Sequence, residues 1–119
     1  MKTITTLLLL FPLTTYAFDQ WSDADKTRET VYLSLHIIDW GQSLDIAKRP
    51  DEYNEDNFIL GNKPSVNRVN THFAIASVMH VVAVHVMPAK WRPAFQYYWI
   101  VIEANTVYSN YSIGLRMNF

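Results

Sequence analysis

After Asp56 the chain has one acidic side chain, Glu103, and it stands in an apolar stretch beside Phe95, Trp99, Ile100, Val101 and Ile102. A carboxylate in an apolar helix is costly unless it finds a partner or reaches water. The fold must therefore shelter Glu103 against donors from another element, or keep that helix face wet. No motif in the chain limits the architecture as strongly.

Residues 69–89 carry no formal charge when histidines are neutral, and residues 93–115 carry only Glu103. Each segment is about long enough to cross a bilayer as a helix. Arg68, Lys90, Arg92 and Arg116 bracket the two, and Trp91, Tyr97, Tyr98 and Trp99 suit an interfacial aromatic belt. The spacing predicts an apolar helical hairpin that enters a membrane. With an outside N-terminus, its Lys90-Trp91-Arg92 turn faces the cytoplasm. His72, His80 and His85 on one helix, and Gln96, Asn105 and Asn110 on the other, favour the competing picture. That picture is a soluble exported bundle burying the same faces.

The N-terminus reads as an address. Met1-Lys2, the apolar run Leu7-Leu8-Leu9-Leu10-Phe11 and the small residues around Ala17 have the layout of a secretory signal peptide, residues 1–17. A single domain of residues 18–119 follows. It has no cysteine, so disulfides, cysteine-ligated zinc and iron–sulfur clusters are excluded. All but one of the 11 acidic residues lie before Ile59. The bases are scattered along the chain, which argues against nucleic-acid binding.

The expected fold is all-α, with three main helices, a long loop and a short extended tail. Residues 22–48 form the first helix. Ser22 and Asp25 resemble a capping box, and Leu33, Ile37, Trp40, Leu44 and Ala47 make an apolar stripe at four-three spacing. Pro50 stops it. Residues 50–64 form a polar loop with an apolar island, Phe58-Ile59-Leu60. Ser65 caps a second helix over 65–87, and Pro93 opens a third over 93–110. In the tail, 111–119, Tyr111, Ile113, Leu115, Met117 and Phe119 alternate with polar or small residues, as a strand does. The repeated alternating segments of an outer-membrane barrel are absent.

Gln96, Glu103 and Asn110 repeat every seven residues and so share one helix face. A neighbouring helix that supplies donors turns that face into a buried polar seam. His36, Asp39 and Ser43 follow three-four spacing on the first helix, and His80 is central in the second. The candidate cluster is His36, Asp39, His80, Glu103 and Asn110. One reading of it is a mixed imidazole–carboxylate site for a metal or for proton transfer. The other is interhelical packing and hydrogen bonding. The spacing of di-iron bundles and the nucleophile elbow of serine hydrolases are both missing, so no metal ligand set and no cofactor are assigned, and the non-enzymatic reading is preferred. In the loop, Glu55, Asn57 and Arg68 stand out. Arg68 is placed to pair with Glu55 or Asp56, Asn57 and Gly61 tolerate left-handed backbone, and the island can plug onto the helices.

The segments Asp39-Trp40-Gly41-Gln42-Ser43, Glu55-Asp56-Asn57-Phe58-Ile59-Leu60-Gly61, Arg92-Pro93-Ala94, Ile102-Glu103-Ala104 and Ser112-Ile113-Gly114 resemble a family of small exported or membrane helical proteins from bacterial and phage genomes. Those relatives carry Asn-Pro where this chain has Asn57-Phe58. The resemblance implies an envelope address and a helical architecture, but no activity. The expected function is therefore that of a bacterial or phage envelope protein, in the inner membrane or periplasm. It would act through helix contacts with the membrane, with itself or with another envelope protein.

Overall fold

The computed structural model describes residues 18–119; the signal-peptide assignment to 1–17 lies outside them. The described residues are all-α, with three helices and no strand. Helix α1 is Asp23–Lys48, α2 is Val66–Val86 and α3 is Arg92–Ser112, with a short 3-10 turn at Ala89–Trp91.

The starts of α1 and α2 follow from their caps. Ser22 accepts from the Asp25 backbone, and the Asp25 side chain accepts from the Ser22 backbone, a complete capping box. Ser65 accepts from the Arg68 backbone. Pro93 stands in the first turn of α3, where its missing N–H costs nothing.

Helix α1 runs antiparallel to α2 and parallel to α3, and both pack against it while hardly touching each other. The expected α2–α3 hairpin is therefore a V with α1 as its floor. The face that α1 buries also differs from the expected stripe. Ile37 is 49% exposed and Trp40 and Ala47 are only partly covered, whereas Asp25, Glu29, His36, Asp39, Gln42 and Ser43 turn inward. The reason lies in α3, whose polar seam demands donors and acceptors that an apolar stripe lacks. Buried polar and charged side chains outnumber buried apolar ones, 11 to 8, among the described residues. The apolar core is correspondingly small: Leu44, Leu60, Val69 and Phe73, with Trp40 and Ala47 packed on it.

The tail is not a strand. Helix α3 continues through Tyr111 and Ser112, beyond the expected end. Gly114, at φ +102, then reverses the chain. Of the alternating apolar residues only Leu115 is fully buried. With no neighbouring strand to pair with, the segment straps the end of α1 instead. Asn118 N–H donates to Gly41 O at 3.0 Å, and Arg116 N–H to Asp45 Oδ2 at 3.0 Å. Gly41 is required by this approach, since a Cβ there would stand 2.9 Å from Met117 Cβ.

The loop also departs from expectation. Of the island, only Leu60 plugs into the core, while Phe58 is 92% exposed. Arg68 donates to Ile59 O at 2.8 Å and pairs with neither Glu55 nor Asp56. Glu55 is turned inward, where it accepts from Asn57 N–H at 3.2 Å. Gly61 takes the left-handed conformation at φ +81, and Asn57 does not. Asn57 forms an Asx turn by accepting from Ile59 N–H at 3.0 Å.

Candidate functional site

The seven-residue repeat on α3 meets a matching polar face on α1, and because the helices are parallel the two run in register. At one end, Gln96 is fully buried. It donates to Asp25 O at 3.0 Å and to Glu29 Oε1 at 3.3 Å, and accepts from Arg28 Nε at 2.7 Å. In the middle, Glu103 Oε1 lies 3.3 Å from His36 Nδ1. At the far end, Asn110 donates to Gln42 Oε1 at 3.1 Å and more weakly to Asp39 Oδ1 at 3.4 Å. Each polar residue on one helix thus answers a polar residue on the other, which fixes register in the way buried polar positions do in coiled coils.

His80 does not join Glu103. Its Nδ1 lies 2.7 Å from Glu29 Oε2, and its ring stacks on Tyr32 with centroids 3.5 Å apart. The His80 ring also packs across the V on Phe95, with centroids 4.9 Å apart, but its hydrogen-bond partner comes from α1. Of the five candidates, His36, Asp39, Glu103 and Asn110 come together, and His80 sits nearer the other end with Glu29.

The protons in the central group follow from donor and acceptor roles. His36 Nε2 lies 3.3 Å from Phe73 O, a pure acceptor, so Nε2 carries hydrogen. Nδ1 then faces both the Glu103 carboxyl and the Tyr32 hydroxyl. The Asp39 carboxyl lies within hydrogen-bonding range of Glu103.

The open side of the V is a cleft of about 1000 Å³. Its floor is Tyr32, His36, Asp39 and Ser43; Ile75, Met79, Phe95, Trp99 and Ile102 form its walls, and Glu55 and Asn57 close one end. Asn57 Nδ2 lies 3.4 Å from His72 Nε2 at that end. Arg68 takes no part in this end; it lines a separate shallow depression with Ile59 and Ser65. Among the described residues, three buried side-chain atoms lack a hydrogen-bond partner: Glu55 Oε2, His80 Nε2 and Glu103 Oε2. All three residues line this cleft. No group of three or more metal-ligating side chains is assembled among the described residues.

Burial pushes the Glu55 carboxyl above its ordinary pKa, and neighbouring Asp56 adds to the effect, against the Asn57 N–H and Ser43 contacts that favour its charged form. Glu55 therefore stabilises the fold most when protonated. That contribution is full below the ordinary glutamate pKa and is lost as pH rises through the elevated folded value. Glu55→Gln should raise the unfolding temperature relative to the parent at pH 8, and the gap should close by pH 4. Thermal unfolding of both proteins at the two pH values checks this.

Sequence reasoning missed Glu29 and Arg92 as interior residues. Glu29 reads as an ordinary helix N-terminal acid, and Arg92 as a flanking positive charge. A signal existed for Glu29: Asp25, Glu29, Tyr32, His36, Asp39 and Ser43 recur at four-three spacing, a polar stripe as regular as the apolar one. Comparison with known proteins gives no lead, since no family model, no curated protein and no solved structure matches the chain.

Proposed function

We propose that this chain is a membrane-embedded envelope protein that acts through contacts of its apolar outer helix faces, without chemistry of its own. The observation that carries the reading is the inverted distribution of side chains. The interior is largely polar, while Val78, Val82 and Val86 on α2 and Tyr97, Val101 and Tyr108 on α3 are half-exposed or more. Exposed apolar surface on this scale marks lipid or a protein partner. Helix α2 is long and apolar enough to cross a bilayer, which by length and composition alone is weak support.

Helix α1 belongs to the same layer. Between Thr30 and Ala47 its only acids, Asp39 and Asp45, are buried, and no Lys or Arg occurs. Matched against its neighbours, the belt free of exposed charge that is common to all three helices spans roughly 20 Å at 1.5 Å per residue. Lys26 and Arg68 lie at its margins, where long side chains reach the headgroups by snorkelling. Three spans rather than two reverse the expected placement of the Lys90-Trp91-Arg92 turn. Ala89 N–H donates to Asp19 Oδ2 at 2.7 Å, so the turn shares an end with the start of α1. An outside N-terminus then puts that turn outside as well. The resemblance to exported helical proteins points to the same envelope address.

Fractionation tests the reading. The mature protein should stay in the membrane pellet after alkaline carbonate extraction; recovery as a soluble periplasmic monomer would overturn it.

A further inference from the structure

We propose that the cleft between α2 and α3 binds a small organic cation, a primary ammonium group carrying an apolar or aromatic body. The site is intramolecular and goes beyond the membrane reading. Four acidic residues line the cleft, Asp39, Glu55, Asp56 and Glu103, and no Lys or Arg does. Acidity alone identifies no ligand; the unpartnered atoms supply the second observation. Glu103 is only 7% exposed, and its Oε2 has no hydrogen-bond partner. Glu55 Oε2 also lacks a partner, on a side chain that is only partly buried.

The third such atom is a ring nitrogen. His80 Nδ1 faces the Glu29 carboxylate at 2.7 Å and so carries a hydrogen, and its Nε2 has no partner; in the neutral ring Nε2 is an acceptor. Two unpartnered carboxyl oxygens in one cleft ask for a donor-rich ligand, and an ammonium group offers three N–H donors and no acceptor. The walls define the rest of the molecule. Phe95 and Trp99 present aromatic surface, to which a cation is also attracted, and Ile75, Met79 and Ile102 are aliphatic. The volume, about 1000 Å³, lies at the upper end of the range for small-molecule sites. A bare metal ion fits less well, because no three ligating side chains converge among the described residues.

The test uses the full mature chain in mild detergent and follows tryptophan fluorescence, since Trp99 lines the cleft. Three probes of similar shape are titrated: 2-phenylethylammonium, the neutral 3-phenylpropanol and the anionic 3-phenylpropanoate. The cation should bind saturably and at least about ten-fold more tightly than either of the others. Glu103→Gln, nearly isosteric, should keep the unfolding temperature within a few degrees and weaken the cation about ten-fold or more, without changing the alcohol. Asp39→Asn provides a second variant should Glu103→Gln fail to fold. Equal affinity for the three probes, or unchanged cation binding in both folded variants, would overturn the proposal. Displacement of the amine by zinc or magnesium at lower concentration would overturn it too, in favour of a metal site.

Discussion

Replacing Arg92 with methionine is expected to cost about 3–5 kcal/mol of stability, the range found when one partner of a buried ion pair is removed. Arg92 is 0% exposed and uses its whole guanidinium. Nε donates to Val84 O at 2.8 Å, and Nη1 to Gln20 O at 3.0 Å and to Asp25 Oδ2 at 3.1 Å. Nη2 donates to Asp19 O at 2.7 Å and to His85 O at 3.3 Å. The one side chain therefore ties together the segment before α1, the end of α2 and the start of α3. Methionine fills much of the volume but leaves Asp25 with Arg28 as its one remaining cation, and leaves four carbonyls short of a donor. Arg92→Lys should recover only part of the loss, because an ammonium cannot reproduce a planar fork reaching five acceptors. Thermal unfolding in detergent, followed by circular dichroism, measures both. A loss below about 1 kcal/mol for the methionine variant would mean that Arg92 is not the clasp described here.

Breaking the Glu29–His80 contact should be nearly as damaging, and its repair more informative. Glu29→Leu leaves His80 Nδ1 without its acceptor and removes one of the acceptors of Gln96. His80→Phe keeps the stack on Tyr32 but leaves the buried Glu29 carboxylate with only the Gln96 donor. Each change should cost about 3 kcal/mol by the usual penalty for a buried group left unpaired. The double variant replaces both partners by apolar groups of similar size, and should be less destabilised than the two costs added, by about 1–3 kcal/mol. Strict additivity would show that the two residues do not sense each other. This cycle also asks whether the polar interior is retained for stability or for register, since an apolar α1–α2 contact is expected to be tolerated.

The parts of the fold that local chemistry dictates were legible in the sequence. Ser22 with Asp25, Ser65 and Pro93 mark helix starts through short-range hydrogen bonds and backbone preferences, and all three mark them here. The seven-residue spacing of Gln96, Glu103 and Asn110 likewise announced a shared face. The partner of that face was not legible. Two stripes on α1 have equal periodicity, one apolar and one polar, and periodicity cannot say which faces inward. The apolar stripe is buried only in part, at Leu44 with Trp40 and Ala47 against the core, while Ile37 is exposed; in the reading proposed above, that exposure is the main clue to function. The tail shows the opposite limit. Its alternation was genuine, but a strand needs a neighbour, and Gly114 and Asp45 made a strap instead. Arg92 could not have been found, because its five acceptors come from segments that only the fold assembles.

Single-cysteine labelling tests the central claim most directly, in a chain that has no native cysteine to remove. Ala24→Cys and Lys90→Cys mark one end of the bundle, Asn62→Cys the other, and Val101→Cys the middle of the outer face of α3; all four positions are exposed. With a membrane-impermeant maleimide added from the periplasmic side, Ala24→Cys and Lys90→Cys should react, Asn62→Cys should react only after the membrane is permeabilised, and Val101→Cys should resist in both conditions. Reaction of Val101→Cys and Asn62→Cys as readily as Lys90→Cys in intact membranes would contradict the account, because it would place the apolar outer face in water.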